Sequence, residues 1–257
     1  MVSTAAGHVR PVPLLARQAV AEFLGSAGLV AVVIGSGIAA QRYSSDHGLQ
    51  LLENALVTGA GLVALILALG PVSGAHFNPV ITLADLAFGG VSAGQVAVYV
   101  PAQMAGGVLG AVAANVMFGL APVSLSTNPR TGGGLWLSEL LATFGLVVLV
   151  FGLVRSHRAG LAPFGVGAYI TAAYWWSSST SFANPMIAVA RMLSDTFAGI
   201  APASVPAFVL AELLGGAAAV AAVWVLFPDA AREAGDVVVP HPAADATARP
   251  SSLEESR

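Results

Sequence analysis

Six stretches of this chain are apolar over about 20 residues or more, the length needed to cross a bilayer core as a helix. They are Ala16–Ala40, Leu51–Gly70, Val91–Gly119, Leu135–Val154, Ala159–Ser178 and Val205–Phe227. No water reaches a backbone amide at that depth, so each segment must satisfy its own hydrogen bonds, and a helix does this within one segment. The rest of the composition agrees. Of 257 residues, 56% are hydrophobic and 9% charged, against about 25% charged in a soluble domain. These figures predict an all-α membrane protein with six transmembrane helices. They argue against a soluble enzyme, a nucleic-acid binder and a disordered scaffold. The chain has no Cys, which removes disulfides, thiolate metal sites and cysteine nucleophiles. Its net charge is −3, and the ten basic residues are all Arg, with no basic face to hold a phosphate backbone.

The arginines set an expected orientation. Arg10 and Arg17 precede the first stretch, Arg155 and Arg158 join the fourth to the fifth, and Arg232 follows the sixth. Arg42 and Arg130 stand alone in loops on the other side. Basic residues concentrate in cytoplasmic loops, so both termini are expected in the cytoplasm and the protein in a plasma (inner) membrane. The first stretch lacks a small-residue cleavage site and reads as a retained span. The chain divides into a cytoplasmic segment (1–15), a first repeat (16–119), a linker (120–134), a second repeat (135–228) and a polar, Pro-containing tail (229–257) expected to be disordered.

Two connections do not read as loops. Residues 73–88, SGAHFNPVITLADLAF, and residues 180–194, TSFANPMIAVARMLS, are too apolar to be solvated and too short to cross. Each has a polar start, then Asn-Pro, then an apolar helical run of about ten residues; Asn is a strong N-cap and Pro fits the first turn. Both are expected to be re-entrant half-helices, starting at Asn78 and Asn184. Non-helical backbone at membrane depth is tolerated only when packed in protein or lining a watery cavity.

The two halves resemble each other. Ala21-Glu-Phe-Leu-Gly-Ser-Ala-Gly-Leu-Val30 matches Ser138-Glu-Leu-Leu-Ala-Thr-Phe-Gly-Leu-Val147; Asn78-Pro79 matches Asn184-Pro185; Gln103-Met-Ala-Gly-Gly107 matches Glu212-Leu-Leu-Gly-Gly216. Three spans per repeat is odd, so the second copy lies upside down and the repeat is inverted. The half-helices then enter from opposite faces and meet near the midplane. A helix N-terminus carries about half a positive charge and unpaired N–H groups. Two facing N-termini repel a cation, and the Asn78 and Asn184 amides are placed to donate to a passing neutral molecule.

These residues resemble the major intrinsic protein family, the aquaporins and aquaglyceroporins. Ser73-Gly-Ala-His-Phe-Asn-Pro-Val80 is close to that family's SGAHxNPA, and Ser181-Phe-Ala-Asn-Pro-Met186 falls where the repeat demands a second box. The resemblance covers about residues 16–228 and implies a channel for small uncharged solutes, with no catalysis and no cofactor. It implies a homotetramer with one pore per subunit. It implies pore-lining boxes Asn78-Pro79-Val80 and Asn184-Pro185-Met186, and bracing of the re-entrant loops by Glu22 and Glu139. His76, two residues before Asn78, fits pore lining, pH sensing or loop bracing, and loop bracing is the favoured reading. The matched selectivity-filter positions are Thr58, Ser181, Ile187 and, on the fifth span, Ala172, with Tyr174 the alternative. Most members place Arg where Ile187 stands. Thr, Ala, Ser and Ile make a wider, uncharged filter, suited to glycerol, urea or protonated metalloid acids. The stretch from Ala190 to Ile200 is similar to a bacterial subgroup associated with arsenic-resistance genes, which implies arsenite or methylarsenicals as cargo.

Other polar residues within the spans carry two readings each. Glu22 and Glu139 fit a proton relay or a structural acceptor, and repeat symmetry favours the acceptor. Glu212 is either a third buried carboxyl or part of a subunit contact. Arg191 is expected to pair with Asp195 at i,i+4. Gly90-Val-Ser-Ala-Gly94 fits a nucleophile-elbow pattern, but no strand precedes it and no His–Asp set accompanies it. An ion- or proton-coupled secondary transporter, which also uses inverted repeats and broken helices, is the rival function.

Overall fold

The structure is a computed structural model and describes residues 12–227. The tail expected at 229–257, and most of the segment 1–15, lie outside the described residues. Within them the chain is helical and without strands: α1 (Leu14–Tyr43), α2 (His47–Ser73), α3 (Pro79–Phe88), α4 (Ala93–Met117), α5 (Gly133–Arg155), α6 (Ala162–Trp176), α7 (Pro185–Arg191) and α8 (Val205–Leu226). Five of these, α1, α2, α4, α5 and α8, are long and apolar enough to cross a membrane. A 3-10 turn at Ala159–Leu161 leads directly into α6. Together they run from 159 to 176, which at 1.5 Å per residue is about 27 Å.

Helix boundaries follow local chemistry. Asp46 caps α2 by accepting from the Leu49 N–H. Ser92 and Gln95 form a reciprocal capping box at α4. The nucleophile-like Gly90-Val-Ser-Ala-Gly94 is therefore a helix start. Asn78 and Asn184 cap α3 and α7 through side-chain oxygens that accept from Val80 N and Met186 N, with Pro at the first helical position of each. This is why two short apolar runs start abruptly inside the bundle.

Packing repeats itself. α1 lies against α2 and α4 as α5 lies against α6 and α8, and α3 contacts α4 and α8 as α7 contacts α8 and α4. Small residues permit the closest approaches. A Cβ on Gly106 of α4 would collide with the Phe23 carbonyl of α1, and one on Gly215 of α8 with the Leu140 carbonyl of α5. The two glycines hold equivalent places in the two halves. Without a hydrophobic force between helices in lipid, such backbone proximity is what gives the packing its strength.

The stretch 120–132 is more than a linker. It runs extended against the segment after α7: Ser124 N and Ser126 N donate to the Leu193 and Met192 carbonyls, and Ala201 N donates to the Asn128 carbonyl. Asn115, at the end of α4, donates to the carbonyls of both Pro122 and Leu193.

Candidate pore

The two half-helices meet tip to tip. The Asn78 side-chain amide donates to the Ala183 carbonyl at 2.8 Å, and the Asn184 amide donates to the Phe77 carbonyl at 2.8 Å. Each asparagine thus caps its own helix with Oδ1 and ties the opposite loop with Nδ2. One Nδ2 hydrogen of each remains, and both side chains line a cavity inside the bundle whose wall is drawn from both halves of the chain.

The loops ahead of the asparagines have unusual backbone. Ala75 and Phe77 in the first, Ser181 and Ala183 in the second, have φ between 46° and 51°. These are matched positions, three and one residues before each asparagine. Left-handed φ in non-glycine residues costs about 1–3 kcal/mol each and persists only when the surroundings enforce it. Here buried carboxylates do so. Glu22 accepts from His76 N and Phe77 N at 3.0 and 2.8 Å. Glu139 accepts from Phe182 N and Ala183 N at 2.9 and 2.7 Å. Glu22 also accepts from Ser73 Oγ and Gln103 Nε2. Glu212, repeat partner of Gln103, is fully buried, accepts from Asn184 N at 3.1 Å and meets Glu139. It is a third buried carboxyl within the fold. His76 braces α3: its Nδ1 lies 3.1 Å from Thr82 Oγ1, its Nε2 3.5 Å from Asp85 Oδ2, and its ring meets Tyr99 edge-on.

The cavity wall obeys the same symmetry. Leu29 and Val33 of α1 face it as Leu146 and Val150 of α5 do; Thr58, Leu62 and Ile66 of α2 face it as Val166, Ile170 and Tyr174 of α6 do. One mouth carries Ile66, Val166, Ala75 and Ile81 with His76 beside them on the wall. The other gathers Thr58, Tyr174, Ser181 and Ile187, and Thr58 Oγ1 lies 3.2 Å from the Tyr174 hydroxyl. It opens to a polar vestibule lined by His47, Asn128, Arg130, Thr180 and Asp195 among others.

Several expected positions shift. Ala172 is exposed and off the cavity, and Tyr174 takes the fifth-span place. Two residues are about 200° of helix turn, so when Tyr174 faces inward Ala172 faces outward. Of the two boxes, only the asparagines reach the cavity wall. Pro79 and Pro185 are buried in the first helical turns, Val80 packs against Gly216 of α8, and Met186 packs against Gly107 of α4. Arg191 does not pair with Asp195. α7 ends at Arg191, so the i,i+4 geometry is lost, and the Asp195 carboxylate accepts instead from the Thr127 N–H at 2.8 Å. Arg191 lines both cavity and vestibule. Arg130, an unpaired loop charge in the sequence, locks the loops together: Nε donates to the Gly199 carbonyl at 2.9 Å and Nη1 to the Ser179 carbonyl at 3.2 Å. Burial holds its guanidinium below the ordinary arginine pKa, against the opposing pull of Glu139 and Tyr174.

Paired half-helices inside a six-span bundle, with a cavity passing between their tips, define a membrane channel. Comparison with known proteins agrees. The model of the family described as "Major intrinsic protein" matches residues 10–181, which ends ahead of the second Asn-Pro pair. Aquaglyceroporin AqpS of Rhizobium meliloti (strain 1021) is 49% identical over 215 residues, 83% of this chain and 92% of the relative. Human aquaporin-5 is 35% identical over 162 residues, 59% of this chain and 58% of the relative. The X-ray structure of the aquaglyceroporin from Plasmodium falciparum superposes with a TM-score of 0.67 at 17% identity, covering 84% of this chain and 98% of the other, a likeness of fold. This chain belongs to the major intrinsic protein family: a multi-pass membrane channel of the aquaglyceroporin type for small solutes, not an enzyme.

Proposed function

We propose that this channel passes glycerol-sized neutral solutes, including polyols, urea and protonated metalloid acids such as arsenite or methylarsenicals, by downhill diffusion. The observation that carries this reading is Ile187 on the cavity wall beside Thr58, Tyr174 and Ser181. An aliphatic side chain there leaves this position on the wall, beside the three hydroxyls, without a charge. The hydroxyls of Thr58, Tyr174 and Ser181 supply polar contacts beside Ile187, and Leu62 and Ile170, one helical turn further along α2 and α6, continue the wall as an apolar surface. A compact solute with hydroxyls on one edge suits such a path. Water gains less from the apolar wall, and a cation gains nothing that replaces its hydration. The similarity to AqpS, itself an aquaglyceroporin, supports the solute class.

In this reading Asn78 and Asn184 hand the solute across the centre, Glu22, Glu139 and His76 hold the loops, and both termini face the cytoplasm of a plasma-membrane homotetramer. Stopped-flow shrinkage of proteoliposomes with water, glycerol, urea and arsenite tests it. Glycerol and arsenite permeability well above protein-free vesicles is expected. Water permeability alone would overturn it.

A further inference from the structure

The seventh residue after each asparagine is charged: Asp85 in the first half-helix, Arg191 at the end of the second. Asp85 is buried behind His76 and off the cavity wall, whereas Arg191 lines the cavity, so the repeated backbone places a charge on the path in the second half only. Arg191 is only 2% exposed. Its guanidinium lies 3.6 Å above the Phe182 ring, and its Nε donates to the Ala198 carbonyl. These contacts fix the plane of the group. Its Nη1 and Nη2 donate to no acceptor among the described residues. The Arg130 guanidinium over the same ring gives both its Nη atoms to backbone carbonyls. An unpartnered buried donor is costly; this one lines both the cavity and the vestibule, so its free edge belongs to the path.

Ile187 and Arg191 stand on one face of α7, four residues apart, or about 6 Å along the axis. We propose, resting on the solute-channel reading above, that Arg191 is a specificity-determining residue of this conduit, set one helical turn toward the vestibule from Ile187. Its planar Nη edge recognises neutral solutes that present two neighbouring oxygens, such as a vicinal diol or a metalloid trihydroxide. The solute meets this donor pair at the vestibule floor, then slides past Ile187 onto the apolar wall. A cation approaching the same point meets a fixed positive charge in a poorly hydrated site. Recognition at Arg191 and the uncharged section at Ile187 are thereby separated along the path.

The test uses the full chain in proteoliposomes, with Arg191→Met and Arg191→Lys. Met keeps much of the volume without charge or donors; Lys keeps the charge without the planar fork. The decisive reading is the ratio of glycerol to water permeability. Arg191→Met is expected to lower it at least tenfold, the loss appropriate to even one charge-assisted hydrogen bond, and to admit methylammonium. Arg191→Lys is expected to lower the ratio while still excluding methylammonium. A ratio unchanged in assembled Arg191→Met protein overturns the proposal. Should neither variant assemble, wild-type protein treated with phenylglyoxal decides by peptide mass analysis. Modification of Arg191 that glycerol slows supports it; modification indifferent to glycerol, or none, overturns it. Wild-type vesicles that pass water but no glycerol would instead remove the solute-channel reading on which it rests.

Discussion

Asp85 and Arg191 occupy the same place in the two halves of the chain and carry opposite charges. Each presses on the residue two positions before its asparagine: Asp85 on His76 at 3.5 Å, Arg191 on the ring of Phe182 at 3.6 Å. The inverted repeat fixes where these side chains lie, and their chemistry makes the two mouths unlike. One mouth sets the His76 imidazole, backed by Asp85, among aliphatic side chains. The other is a guanidinium, two hydroxyls and a tyrosine at a wide polar vestibule. A symmetric fold thereby becomes a directional path for recognition, although diffusion through it needs no direction.

The residue one helical turn before Arg191 gives the first prediction. Ile187→Arg adds bulk and a second guanidinium beside Thr58 and Tyr174. Glycerol flux is expected to fall at least tenfold while water flux stays within about twofold, since a factor of ten is only about 1.4 kcal/mol. Osmotic shrinkage assays with the two permeants read this directly.

The brace on the second loop gives another. Glu139→Gln removes a carboxylate that accepts from two backbone N–H groups. Hydrogen bonds to charged groups contribute about 1.5–3 kcal/mol each, and the strained Ser181 and Ala183 backbone depends on them. Folded yield and thermal midpoint in detergent are expected to drop, while flux per assembled channel changes little. Normal assembly with a lost pH dependence of flux would support a proton relay instead.

Helix contact at the small residues is testable by one methyl group. Gly215→Ala forces α8 off the Leu140 carbonyl of α5, and overpacking of this kind costs about 1–3 kcal/mol. Gly94→Ala in the first turn of α4 meets only ordinary contact and should be neutral or slightly stabilising, as Ala is the better helix former. Thermal unfolding of the two variants side by side separates the effects.

The chain has no native cysteine, so single cysteines report cleanly on the path. Ser181→Cys is expected to lose glycerol flux on treatment with a small charged thiol reagent. Ala172→Cys, outward on α6, should keep it.

Much of this was legible in the sequence. Hydrophobic run lengths gave the spans, and Asn-Pro inside apolar segments gave the half-helices, because capping is local chemistry. The glutamates at matched places in α1 and α5 pointed to their loops because a carboxyl in lipid needs donors. Finer placement depended on rotation and termination. Ala172 and Tyr174 are both compatible with the apolar pattern of α6, which lacks a polar face to set its phase, and only its contact with α2 at Gly59 and Gly167 turns Tyr174 inward. Arg191 looked paired with Asp195 because the helix was expected to continue to residue 194. It stops three residues earlier, where the segment after it pairs with 124–126. The motif groups Val80 and Met186 with their asparagines, yet residues two positions apart on a helix point about 200° apart, which carries them onto α8 and α4.

The claim that the half-helices enclose a passive path is tested most directly by the concentration dependence of glycerol entry into proteoliposomes with every ion gradient collapsed. The account predicts an initial rate that rises in proportion to glycerol and follows its gradient in either direction. Entry that stops without an ion gradient, or that accumulates glycerol above the bath, would contradict it.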